Sequence, residues 1–177
     1  MKRIHGTKYW INLAKWWKKV APPVRPSKAD LRIYEEFLRK ATKNKKRPKI
    51  LVLGATPEMR DLGHKFNAEI TVCDLSIGMI IATSQLMQYK NNVEKEVWIR
   101  ANWVTVPLQH NHYDIILGDG VTTNISWSEA KRWWKHLTEL LKPNGVFITR
   151  AFFVDSKIAA KKIAITLIEK IFKKQNN

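Results

Sequence analysis

Five short runs of apolar, β-branched and aromatic residues break up the middle of the chain, at 49–54, 69–74, 96–101, 113–118 and 145–153. Between them apolar residues recur at helical spacing, which predicts helices at about 57–66, 77–90 and 127–141. Strand and helix in alternation argue for a parallel sheet covered on both faces, an α/β protein. Ahead of the first strand, Ser27 is placed to cap a helix from Lys28 to about Thr42, with Leu31, Tyr34, Phe37 and Leu38 on its inner side. Ala21-Pro22-Pro23-Val24-Arg25-Pro26-Ser27 reads as an extended connector, because its prolines forbid a helix. A shorter helix is expected from Tyr9 to Val20. It puts Trp10, Leu13, Trp17 and Val20 on one face and gathers Lys8, Lys15, Lys18 and Lys19 opposite, the pattern of a helix packed on the domain as a lid over a bound ligand, or of a helix at a membrane interface. Leu141-Lys142-Pro143-Asn144-Gly145 reads as a turn before the fifth strand. A last helix is expected from about Asp155 to Lys174, with Ile158, Ile163, Leu167 and Ile171 inward. Two units follow: a basic N-terminal helical extension or lid at 1–47, and the sheet-bearing domain at 48–177.

The junction after the first strand carries the chemistry. Lys49-Ile50-Leu51-Val52-Leu53 ends at Gly54, and Ala55-Thr56-Pro57-Glu58 opens a helix; the next strand ends on Asp74. A glycine lets backbone approach a ligand, a helix N-terminus offers free amides to an anion, and an acid one strand over suits two ribose hydroxyls. Thr56 is an expected N-cap, Pro57 suits the first helical position, and Glu58 complements the helix dipole. The loop has one glycine where the dinucleotide fingerprint has three, and it lacks the Gly-Lys-Ser/Thr ending of a phosphate loop. Such a loop has less room for a pyrophosphate but admits an amino-acid carboxylate. That points to S-adenosylmethionine, an adenosine joined to a methionine tail without phosphate.

With these residues in view, the chain resembles the class I S-adenosylmethionine-dependent methyltransferases from about Pro48 to Phe153. The likeness rests on Leu51 to Arg60, on Thr71-Val72-Cys73-Asp74-Leu75-Ser76 with Met79, on Ala101-Asn102-Trp103, and on Tyr113 to Gly120. It implies a Rossmann-like, doubly wound sheet in the order 3-2-1-4-5. Gly54, Ala55 and Thr56 would lie by the methionine tail and Asp74 on the ribose. Leu75, Met79 and Trp103 would wall the adenine, with the amide oxygen of Asn102 reading its edge where many relatives place an aspartate. Asp119 and Gly120 would flank the methionine amine and the methyl group, and Asp119 is the expected catalytic residue. The family usually continues with a sixth and seventh strand, the last inserted antiparallel. A chain ending in a helix after the fifth strand would lack both and leave residues 147–153 as an open edge, covered by a helix or by a partner, as in a homodimer.

Charge adds a question about partners. Residues 1–50 hold 16 Lys and Arg against 3 Asp and Glu, residues 51–149 hold 9 against 10, and residues 150–177 hold 7 against 2. Basic ends on a neutral core fit an electrostatic footprint for RNA, DNA or an anionic membrane, and also the Lys-, Ile- and Asn-rich composition of chains from AT-rich genomes. The lone Cys73, in a buried strand, excludes a disulfide framework and favours a reducing, cytoplasmic setting. No apolar run reaches membrane-spanning length. His110 and His112 have metal-like spacing but precede the fourth strand, and His64 sits late in a helix, so no metal is expected. No Gly-x-Ser-x-Gly elbow occurs. Thr122, Thr123, Asn124 and Trp127 follow Asp119 on the side where an acceptor would enter. The reading is methyl transfer to a small molecule or RNA, with a non-catalytic binding or scaffold protein of the same fold as the alternative.

Overall fold

The four residues Ile50 to Leu53 are all buried, because the strand that carries them is covered on both faces. The structure, a computed structural model, describes residues 16–153 and 164–171. Helix α1 (Lys28–Ala41) leads into β1 (Lys49–Leu53), α2 (Pro57–Lys65), β2 (Glu69–Asp74), α3 (Ile77–Ser84), β3 (Glu96–Arg100), β4 (Tyr113–Asp119), α4 (Trp127–Leu140), β5 (Leu141–Phe153) and β6 (Ala164–Ile171). The sheet order is β3-β2-β1-β4-β5-β6. The first five strands run parallel in the expected order 3-2-1-4-5, and β6 is antiparallel to β5. Alternation sorts the side chains. Ile50 and Val52 join Tyr34 and Leu38 of α1 and Met59 and Ile80 in one core, while Leu51 and Leu53 join Trp133, Leu137 and Phe147 in the other.

Helix α1 starts on the expected cap. Ser27 Oγ accepts from Asp30 N at 3.1 Å while Asp30 Oδ2 accepts from Ser27 N at 2.8 Å, a reciprocal capping box. Of the expected helix Tyr9–Val20, residues up to 15 lie outside the described residues; Trp17–Lys19 form one 3-10 turn that buries Trp17. Helix α3 is shorter than the expected 77–90. The carboxylate of Asp61 accepts from Gln88 N and Tyr89 N at 3.1 and 3.0 Å, drawing those amides out of a helical ladder, and a 3-10 segment follows at Lys90–Lys95. The expected turn at 141–145 is an irregularity inside β5. Leu141 pairs with Tyr113 and Val146 with Ile115, and Asn144, at φ 64°, takes up the slack.

The main correction is at the C-terminal end. The expected helix at 155–174 is replaced over Ala164–Ile171 by a strand paired with β5 from Val146↔Ile171 to Phe153↔Ala164. Ile158 and Ile163 lie outside the described residues. Ile165, Thr166, Ile168 and Ile171 are β-branched, and the unpaired edge of β5 offers them a full ladder, so long-range pairing overrides a helical spacing. The chain therefore does not lack an antiparallel strand against β5, and the edge expected to be covered by a helix or a partner is paired from within. Among the described residues no helix is long and apolar enough to cross a membrane.

Candidate active site

A cavity of about 510 Å³ opens at the carboxyl ends of β1, β2 and β4, where ligands of open α/β sheets sit. All ten residues expected to bind a cofactor line it: Gly54, Ala55, Thr56, Asp74, Leu75, Met79, Asn102, Trp103, Asp119 and Gly120. Gly54 stands at φ +89°, a backbone that side-chain-bearing residues rarely adopt, and its amide is held by Cys73 O at 2.9 Å. A Cβ there would point between Trp103, at 3.6 Å, and Asp74 Oδ2, at 4.0 Å. Space beside the glycine is thus bounded by an indole and a carboxylate oxygen.

Asp74 has one oxygen fixed and one turned to that space. Oδ1 accepts from Ser76 N at 2.7 Å, while Oδ2 has no hydrogen-bond partner among the described residues. Burial pushes the carboxyl up to about 6, against the pull of the Ser76 amide. Trp103 is locked by donating from Nε1 to Cys73 O at 2.8 Å. The expectation for Asn102 needs amendment: its Oδ1 already accepts from Val104 N at 2.9 Å. Its NH2 group, a donor, has no partner among the described residues. Thr56 occupies the N-cap position of α2, but its hydroxyl makes no capping bond. The helix start is held instead by Glu58, buried and paired with Arg25 Nε.

Both carboxylate oxygens of Asp119 are engaged by neighbouring side chains. Arg150 Nε and Nη2 donate to its two oxygens at 2.9 and 2.8 Å, and the Tyr34 hydroxyl lies 2.9 Å from Oδ1. Tyr34 also reaches Gly118 O at 2.9 Å and accepts from Arg150 N at 2.7 Å. Arg150 then spends its remaining donors on Asp30 Oδ2, at 3.0 Å, and Pro23 O, at 2.7 Å. Burial raises Asp119 and the facing guanidinium pulls it back. A fully buried arginine with four bonds of this kind is a fixture. Asp119, expected as the catalytic residue, is an anchor in this network. It ties β4, β5, α1 and the proline connector together beneath Gly120, whose φ of +62° leaves room for Phe152 at 3.1 Å from a notional Cβ.

The sequence profile of the methyltransferase-domain family matches residues 52–149, more than half of the chain. The chain belongs to that family. Solved structures agree in fold. A protein of Methanococcus maripaludis, named as a candidate S-adenosyl-L-methionine-dependent methyltransferase, superposes with a TM-score of 0.63 at 16% identity, over 90% of this chain and 69% of that one. The Haemonchus contortus phosphoethanolamine N-methyltransferase 2, solved with phosphomonomethylethanolamine and S-adenosylhomocysteine, gives 0.64 at 16% identity, over 87% of this chain and 35% of that one. The cyclase SpnF gives 0.60 at 13% identity, over 77% and 50%. The chain spans about two thirds of the length of the first and half or less of the other two. No curated protein sequence matches it.

Several residues of this methyltransferase-family cavity escaped the sequence reading. Pro23, Val24, Ile125, Glu129 and Phe152 form part of the wall, beside Trp17 of the expected lid helix. Behind the lining, Arg150 was the most findable of the residues missed: parallel register sets it directly beside Asp119 at the ends of β5 and β4. Glu129 carried only the signature of a capping acid three residues after Ser126. Thr123 and Asn124 do line the cavity, whereas Thr122 does not and Trp127 points to solvent, 96% exposed. His64, His110 and His112 lie away from it. His64 Nε2 meets Glu96 at 3.0 Å in a buried cluster with Arg60 and Trp98, and His112 sits near Lys49 at the amino end of β4. No group of His, Cys, Asp and Glu among the described residues has metal-binding geometry.

Proposed function

We propose that this chain is an S-adenosyl-L-methionine-dependent methyltransferase that holds its cofactor between Gly54 and Asp74. The acceptor is a molecule that enters beside Trp17, Val24, Ile125 and Phe152. The observation that carries this reading is the open cradle at Gly54, faced by an unpartnered carboxylate oxygen inside a cavity of about 510 Å³, within the range of roughly 300–1,000 Å³ usual for small-ligand sites. The residues present fit the cofactor. Asp74 Oδ2 would accept from ribose hydroxyls, the first amides of α2 and the Gly54 loop would meet the methionine carboxylate, and Leu75, Met79 and Trp103 would enclose the adenine. Asn102 would contribute its NH2 as a donor to a ring nitrogen.

When bound, the cofactor supplies an electrophilic methyl group on a sulfonium sulfur. The chain's own task is then positioning, which supplies most of the acceleration for such a transfer. Trp17, Val24 and Phe152 exclude water from the acceptor side, and the Asp119–Arg150 anchor fixes the Gly120 turn between the two ligands. Cys73, with its thiol pushed up to about 12 by burial beside Asp74, is an inert core residue, in keeping with a reducing, cytoplasmic setting. Calorimetry with S-adenosylmethionine and S-adenosylhomocysteine tests the reading. Both should bind, and Asp74→Ala should weaken both; an unchanged affinity in that variant removes the ribose role. Binding without methyl transfer into any fraction of a cell extract would favour the non-catalytic alternative.

A further inference from the structure

The cavity runs against the charge of the chain. The protein has 32 Lys and Arg against 15 Asp and Glu, yet the charged residues lining the cavity are Asp74, Asp119 and Glu129, and no lysine, arginine or histidine among the described residues lines it. Two of these acids are accounted for. Asp119 is neutralised by Arg150, and Asp74 faces the Gly54 cradle. Glu129 is left over. It lies in the first turn of α4, one carboxylate oxygen accepts from Ser126 Oγ, and it has no cationic partner among the described residues. It shares the cavity with the apolar side chains of Trp17, Val24, Ile125 and Phe152.

We propose that the methyl acceptor is an amine with an apolar body, and that Glu129 is the residue that selects it. The proposal rests on the cofactor reading above and deepens it. A phosphate or carboxylate brought into this space would lose water beside an uncompensated like charge, with no base in the described lining to offset the loss. An ammonium group gains from the same carboxylate and would give up one proton to it, freeing the nitrogen lone pair that takes the methyl group as the S–CH3 bonding pair stays on sulfur, while its hydrocarbon part replaces water against the indole and phenyl walls.

The test uses S-adenosylhomocysteine-saturated protein and three probes with one ring and different heads: 2-phenylethylamine, 2-phenylethanol and phenylacetate, titrated calorimetrically at millimolar concentration. The amine should bind at least about tenfold more tightly than the carboxylate, with the alcohol between them. Glu129→Gln keeps the side-chain shape and its place three residues after the N-cap, where glutamine also serves. That variant should bring amine and carboxylate to near parity while binding S-adenosylhomocysteine as the wild type does. A carboxylate that binds as well as the amine, a preference that survives in Glu129→Gln, or no binding by any probe overturns the proposal. Methyl label recovered in RNA after incubation with total RNA overturns it as well. Failure of the wild type to bind S-adenosylhomocysteine is a different result, and strikes the cofactor reading itself.

Discussion

If Asp74 holds the cofactor's ribose, affinity must depend on pH in a window that this carboxyl defines. Burial raises it from 3.8 to about 6, so near pH 7 it is mostly ionised and near pH 5 mostly protonated. The ionised form accepts two hydroxyl donors; the protonated form loses acceptor capacity and carries a proton into the same space. If only the ionised form binds, the dissociation constant should weaken about tenfold between pH 7 and pH 5, the ratio of ionised fractions for a group titrating near 6. S-adenosylhomocysteine suits the measurement, since its own groups keep one protonation state across that range. Calorimetry at half-unit pH steps gives the profile. Asp74→Asn should bind weakly with a flat profile. A flat wild-type profile, or a variant that keeps the tenfold fall, refutes the assignment.

The same shift makes a second, opposite demand on stability. A carboxyl whose folded value lies above its unfolded one stabilises the fold most at low pH, and this contribution is lost as pH rises through about 6. From 3.8 to about 6, the penalty for ionised Asp74 at pH 7 is at most about 3 kcal/mol. Asp74→Asn keeps an oxygen for Ser76 N and removes the charge, so the ligand-free variant should be more stable than wild type at pH 7 and no more stable near pH 4. One substitution that strengthens the fold while it weakens binding is the mark of an acid retained for its ligand.

Other substitutions probe other parts of the site. Arg150→Met leaves Asp119 buried without its counter-ion and should cost about 3–5 kcal/mol in denaturant unfolding, with Asp119→Asn in the same chain restoring part of it; a loss below about 1 kcal/mol would deny the network its structural role. Gly54→Ala should lower stability by about 1–3 kcal/mol through its φ of +89°, and it puts a methyl group into the ligand space, so S-adenosylhomocysteine affinity should fall as well. A chain ending at Phe153 exposes the β5 ladder and should form higher oligomers by light scattering; a monomer of unchanged stability would show that β6 is dispensable.

What the sequence made legible, it did through local rules. The buried run 50–53, the Ser27 cap and the glycine-to-acid spacing are each written in a few neighbouring residues; sheet order and the expected site residues came from the family resemblance that those residues carry. The errors fall where distant residues compete. Asp61 removes the last turn of the expected third-helix segment from another element, and β5 recruits Ala164–Ile171 as a strand although their spacing also suits a helix. Asp119 was legible in place but not in role, because its role is fixed by Arg150, 31 residues later, and Tyr34, 85 residues earlier.

That network also bears on the first 47 residues, expected as a basic helical extension or lid. Tyr34 and Leu38 of α1 lie in one core with β1 and β4. Asp30 and Pro23 complete the shell of Arg150, Arg25 closes on Glu58 at the start of α2, and Trp17, Pro23 and Val24 line the cavity. A lid must be able to leave without dismantling the sheet. Here the connector cannot lift without stripping partners from a fully buried guanidinium and from a buried glutamate, each a cost of several kcal/mol. From Pro23 onward the N-terminal segment is therefore fixed against the sheet and not free to open.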